Sequence, residues 1–151
     1  MSAGLFGVDF GRARVGIAAA DDLGLLAHPR ATLDVKGRDP AKITAEYLAA
    51  NHARTVVVGL PLRLDGSEGD AARAVREFVA SLSRRRPEIE FLLHDERLTT
   101  ASASQALEAA GKSSRQSRAI IDQAAAVEIL QSHLDALALR DSPEAARDAS
   151  Q

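Results

Sequence analysis

The stretch TVVVGLP (55–61) is short, wholly apolar and rich in β-branched residues. A run of that kind is a strand buried on both faces, so the chain must supply covering layers above and below a sheet. Turn-forming residues follow at Asp65-Gly66-Ser67-Glu68-Gly69. After them Ala72, Val75, Val79 and Leu82 fall on one helical face, and Pro87 closes that helix. IEFLLHDE (89–96) reads as the next strand. Strand, helix and strand in succession predict parallel neighbours.

The beginning of the chain has another grammar. LFGVDF (5–10) and RVGIAAA (14–20) are strand-like and separated only by Gly11-Arg12-Ala13, which predicts an antiparallel hairpin. A third short strand is expected over RATLDV (30–35). Asp39-Pro40 supplies an N-cap and a proline at the first helical position, opening a helix over 40–52 with Ile43, Tyr47 and Leu48 at helical spacing. Further helices are expected from Thr100 to Ala110, ending near Gly111, and over 118–139. The second of these carries Ile120, Val127, Leu130, Leu134 and Leu137 on one stripe. GKSSRQS (111–117) reads as a mobile connection, and 140–151 as a polar, disordered tail. The sum is one α/β domain over 1–139: a mixed sheet with helices on both faces.

A chain of 151 residues suits one such domain. It has no cysteine, which excludes disulfides and thiolate metal sites. It lacks a basic start followed by a long apolar run, and no apolar run reaches the about 18 residues of a membrane span. The expectation is a soluble, cytoplasmic protein with no membrane partner. A net charge of −2 excludes a uniformly cationic nucleic-acid binder and leaves the question to local patches.

Three acids stand in unexpected settings. Asp9 lies in or at the end of an apolar strand. Glu96, beside Asp95, ends FLLHDE. Asp122 sits in IIDQAAA on the last helix. Functional groups of parallel α/β sheets gather at the carboxyl ends of strands, and alternation allows only one of Asp95 and Glu96 to face a given site. Each acid also has a structural alternative: Asp9 paired with Arg12 or Arg14, Asp95-Glu96 as a solvated turn with Arg97 as counter-ion, Asp122 at the positive end of a helix. His94 is either a proton carrier or a hydrogen-bonded residue at a sheet edge. If the three acids meet, their repulsion calls for a hard cation with oxygen ligands, Mg2+ or Mn2+. Two such ions about 4 Å apart activate water and stabilise the leaving oxygen in phosphodiester cleavage.

GVDFGRARVGIAAAD, VVGLPLRLDGSEG, DERLTT and IDQAAAVEILQSHLD occur in this order from about Leu5 to Asp135. Together they resemble the YqgF/RuvX family, the bacterial Holliday-junction-resolvase-like proteins assigned to trimming of the small-subunit ribosomal RNA precursor. The resemblance implies an RNase H-like fold, a central mixed five-stranded sheet whose first three strands are antiparallel. It implies a metal-dependent nuclease in ribosome biogenesis, with Asp9, Glu96 and Asp122 as catalytic residues and metal ligands and Asp95 as a weaker fourth ligand. A two-metal site for Mg2+ or Mn2+ is expected. The implied partner is nucleic acid, either precursor rRNA or branched DNA, and the chain is a monomer or a homodimer. The nucleic-acid contacts expected are Arg12, Arg14, Arg63, Arg97, Lys112, Arg115 and Arg118. Only the last two and Lys112 represent the denser basic run that such proteins carry before IDQ, so fewer counterions are released here on binding. Three other functions compete: resolution of four-way DNA junctions, a non-cleaving nucleic-acid-binding role in transcription or ribosome assembly, and an actin-like or sugar-kinase-like ATPase. The last needs a second domain that 151 residues do not accommodate.

Overall fold

The computed structural model describes residues 4–98 and 114–140. The elements are β1 (Leu5–Asp9), β2 (Arg14–Ala20), β3 (Ala27–Asp34), α1 (Pro40–Ala50), β4 (Thr55–Leu60), α2 (Asp70–Arg85), β5 (Glu90–Asp95), a 3-10 turn (Glu96–Leu98) and α3 (Ser114–Arg140). The five strands form one mixed sheet in the order β3-β2-β1-β4-β5. β1, β2 and β3 pair antiparallel, while β4 runs parallel to both β1 and β5. This is the mixed sheet that the hairpin opening and the later strand–helix–strand unit require.

Period-two alternation sends each central strand's residues to two different cores. Phe6, Val8, Val15, Ile17, Val56, Val58 and Leu60 face α1 and α2, where they meet Leu48, Val75, Phe78 and Leu82. Ala18 and Val57 face α3, against Ala126, Ile129, Leu130 and Leu134. Val56, Val57 and Val58 are all fully buried, as a strand covered on both sides must be. Each stabilises the fold by about 1.5–3 kcal/mol relative to an exposed side chain. The Asp39 carboxylate caps α1 by accepting from the Ala41 and Lys42 amides and also receives Arg85 from the end of α2, at 2.9 Å. One acid thereby ties the two helices of that layer together.

Three expectations change. β3 spans 27–34 rather than 30–35, pairing with β2 along its length with an irregularity at Ile17/Ala18. Its exposed His28, Pro29 and Arg30 hide the strand from a hydrophobicity reading, and as an edge strand it tolerates Pro29. α3 starts at Ser114, so 114–117 is helix and not a mobile connection. Helix propagates cheaply from a packed segment through good helix formers such as arginine and glutamine. The buried stripe of α3 is Ala126, Ile129, Leu130 and Leu134, with Val127 only partly buried against it. The helix expected over 100–110 and the tail from 141 onward lie outside the described residues.

Candidate active site

Asp9 is the last residue of β1 and stands opposite Gly16 of β2. Phe6 and Val8 face α1 and α2, so alternation turns Gly7 and Asp9 to the α3 side. A Cβ on Gly7 would strike Leu130 and Ala126 of α3, which fixes that orientation. Glu96 follows the last residue of β5 in the 3-10 turn, and its carboxylate folds back over Gly59 of β4. Asp122 projects from α3 about two turns beyond Ser114. Two strand ends and one helix thus bring three acids to one side of the sheet.

Two glycines make this approach geometrically available. A Cβ on Gly16 would overlap the backbone of Asp122, so α3 rests directly on β2 at that residue. A Cβ on Gly59 would stand 2.5 Å from Glu96 Oε1 and 2.6 Å from Ile129 Cδ1. Neither glycine is an expected site residue from sequence. The available signal is a glycine interrupting a β-branched strand, which marks a close approach.

Asp9 feels the charges of both other acids. The Asp9 carboxyl is pushed up to about 7, first by burial, then by the charges of Glu96 and Asp122. Glu96 is also raised, by burial and then by Asp95. Asp95 goes the other way: its hydrogen bonds with Arg97 hold it below the usual carboxylate range. Arg97 grips Asp95 through Nε and Nη2, at 2.7 Å for the shortest contact, and reaches the Leu64 carbonyl. Asp95 thus has the Arg97 counter-ion of the solvated-turn alternative, while its charge also acts on Glu96. Asp122 receives Arg14 Nε at 2.7 Å. Arg14 is thus the partner of Asp122 and not of Asp9, and Asp122 lies well inside its helix rather than at its positive end.

The remaining cations divide. Arg12 is exposed at the β1–β2 turn with no ion pair among the described residues. The Arg63 guanidinium lies against Gly69. Arg115 and Arg118 fall on the first turns of α3, and Lys112 lies outside the described residues. His94 on the edge strand β5 meets Ser132 Oγ at 3.0 Å, joining β5 to α3. Burial lowers its pKa. That is the sheet-edge role. His94→Ala should cost about 1 kcal/mol of stability, seen as a Tm lower by about 2–4 °C, without loss of nucleic-acid cleavage. A cleavage defect in a normally folded variant would restore the proton-carrier role.

An oxygen-only set of three carboxylates matches a hard divalent cation in donor chemistry. Among the described residues, no three histidine, aspartate or glutamate side chains yet stand close enough together to grip one ion. A cavity of about 690 Å³ opens at the other end of the sheet, between the strand starts Leu5, Thr55 and Glu90 and the end of α3, remote from the acids.

Asp9 also sets a pH dependence. Its carboxyl titrates at about 7 when folded, against 3.8 ordinarily. Between those values the folded chain binds more protons than the unfolded one. Stability from this group is therefore complete below 3.8 and is lost as pH rises through about 7. In the presence of chelator, Asp9→Asn should match the parent's thermal stability near pH 4 and exceed it at pH 8. A difference that is constant across that range would contradict the raised pKa.

A mixed sheet in this order, covered by helices on both faces and carrying acids at its strand ends, is the RNase H-like fold of the RuvC resolvases. Thermus thermophilus RuvC in complex with a Holliday junction substrate aligns with a TM-score of 0.55 at 16% identity, over 90% of this chain and 94% of that one. The fowlpox virus Holliday junction resolvase aligns at 0.51 and 13% identity, over 87% and 98%. The family model RuvX, described as Holliday junction resolvase, matches residues 3–136, and the chain belongs to that family. A protein of Kineococcus radiotolerans named "Putative pre-16S rRNA nuclease" is 48% identical over 135 residues, covering 85% of this chain and 70% of its own length. One of the same name from Streptomyces coelicolor is 47% identical over 135 residues, covering 85% and 77%. The chain is accordingly an enzyme of the hydrolase class, a nuclease acting on phosphodiester bonds.

Proposed function

We propose that this nuclease is metal-dependent, acts on structured nucleic acid and processes the 5′ end of the pre-16S ribosomal RNA in the cytoplasm. The observation that carries the reading is Asp9: an acid at a strand end whose carboxyl is raised to about 7 by burial and by Glu96 and Asp122 together. Burying mutually repelling carboxylates destabilises a fold, and a cation relieves it. The relatives' shared name supports the choice of substrate. No helix of the described residues is long and apolar enough to cross a membrane, which agrees with work on a cytoplasmic RNA.

Asp9, Glu96 and Asp122 would hold Mg2+ or Mn2+, in a two-metal arrangement. Bound there, the ions supply an activated water and charge stabilisation for the leaving oxygen. Asp9 gives up its proton on binding them. Arg12, exposed beside Asp9 at the β1–β2 turn, holds a phosphate by its guanidinium fork. Asp95 keeps Arg97 in place and stays outside the ligand set.

The test is a substrate panel: a 5′-extended 16S rRNA precursor and a four-way DNA junction, each with Mg2+, Mn2+ or EDTA. The precursor should be shortened at its 5′ end with either metal and be left intact in EDTA. Cleavage of the junction alone would replace this reading by resolution of branched DNA. Binding of either substrate without cleavage in any metal would make the chain a non-cleaving factor.

A further inference from the structure

Arg14 and Asp122 are separated by 108 positions in sequence, yet Arg14 Nε donates to Asp122 Oδ2 at 2.7 Å. Their positions are set by backbone and not by chance rotamers. Arg14 opens β2, and two residues later Gly16 seats the Asp122 backbone against the same strand. The side chains keep 33% and 19% of their exposure, so a solute reaches the pair. Of the five donors of a guanidinium, Nε alone is committed to Asp122.

We propose that Arg14 is an exchangeable partner. In the free protein it holds Asp122. When nucleic acid binds, Arg14 moves to a backbone phosphate and releases Asp122 to the divalent ion. The proposal rests on the reading of Asp9, Glu96 and Asp122 as the metal-holding acids. A planar fork bonds a phosphate at two points, and such bidentate charge-assisted pairs are stronger than single contacts. An Asp122 carboxylate released from Arg14 needs a new counter-charge. Metal and nucleic acid then bind with positive coupling, each strengthening the other by the same factor. Arg14 is a positioning residue in this scheme: it acts through Asp122.

The test uses the full chain and needs no turnover. Mn2+ affinity is measured without nucleic acid by isothermal titration. RNA affinity is measured in EDTA by fluorescence anisotropy, using a labelled RNA hairpin with a 5′ single-stranded extension. Arg14→Gln should bind Mn2+ about tenfold more tightly than the parent, because Asp122 is already free. Asp122→Asn should bind the RNA about tenfold more tightly, because Arg14 is already free. That gain should vanish in the double variant with Arg14→Gln, which separates release of Arg14 from simple loss of a negative charge. If Arg14→Gln does not fold, Arg14→Lys, which lacks Nε, should show a smaller gain in Mn2+ affinity. Unchanged or weaker Mn2+ binding by the folded variant, or an Asp122→Asn gain that persists in the double variant, overturns the exchange. Asp9→Asn reports on the metal site separately: Mn2+ affinity unchanged there overturns the metal-holding reading, whatever Arg14 does.

Discussion

Asp9→Asn and Glu96→Gln should each lower phosphodiester cleavage by at least about 10³-fold while leaving the fold intact. A metal ion contributes several kcal/mol of charge stabilisation to such a transition state, and each 1.36 kcal/mol is tenfold in rate. Both substitutions preserve shape and remove charge. Burial and the charges of its neighbours push the Asp9 carboxyl up, so its neutral replacement removes a strain from the folded state as it removes a proposed ligand. The two measurements should therefore part company: cleavage of the 16S precursor in Mg2+ collapses, while thermal unfolding in EDTA at neutral pH occurs at the same or a higher temperature. Retained cleavage in both variants would refute the carboxylate mechanism. A large fall in Tm would show instead that the acids serve the fold.

Gly16→Val should lower stability by about 2–3 kcal/mol, at the upper end of overpacking costs, and Tm by about 5–10 °C for a domain of this size. The obstacle is backbone: a Cβ there overlaps the Asp122 carbonyl. Neither strand nor helix can yield without moving the other. Gly59→Ala is the instructive contrast. Its added Cβ meets Glu96 Oε1 and Ile129 Cδ1, the far ends of two side chains. Rotamer changes relieve that clash, and loss of glycine's freedom in the unfolded chain returns about 0.4–1 kcal/mol. Gly59→Ala should then fold nearly as well as the parent and lose cleavage, because Glu96 is the side chain that must leave. Equal activity in Gly59→Ala and the parent would show that the position of Glu96 over β4 is not needed.

Much of this arrangement is legible in the chain. TVVVGLP announces a strand covered on both faces, and the alternation within LFGVD already separates Phe6 and Val8 from Asp9. Asp95 ends β5 and Glu96 opens the 3-10 turn, so strand parity alone does not set the side to which Glu96 turns. What sequence does not carry is the identity of distant partners. Arg14 lies close to Asp9 in the chain, so Asp9 is its natural partner on paper, yet Arg14 reaches an acid on a helix 108 positions away. The stripe of α3 is read only in part, with Leu130 and Leu134 found and Ala126 and Ile129 missed, for a related reason. Ala126 is fully buried, but alanine is too weakly hydrophobic to mark a core position, and only the close seat on the sheet gives it that role. β3 is hidden because its exposed face is polar and its ladder depends on what β2 offers.

The place of α3 in the chain has a consequence during synthesis. Asp9 and Glu96 leave the ribosome before Asp122, and the sheet face carrying Ala18 and Val57 is finished before the helix that covers it. Domains acquire their structure in the order of their elements only as far as contacts allow, and pairings this remote in sequence form late. A nascent chain therefore displays two acids beside an uncovered apolar face, and the third acid arrives together with the cover. The proposed set of three acids would in this way be completed only when α3 docks on the sheet.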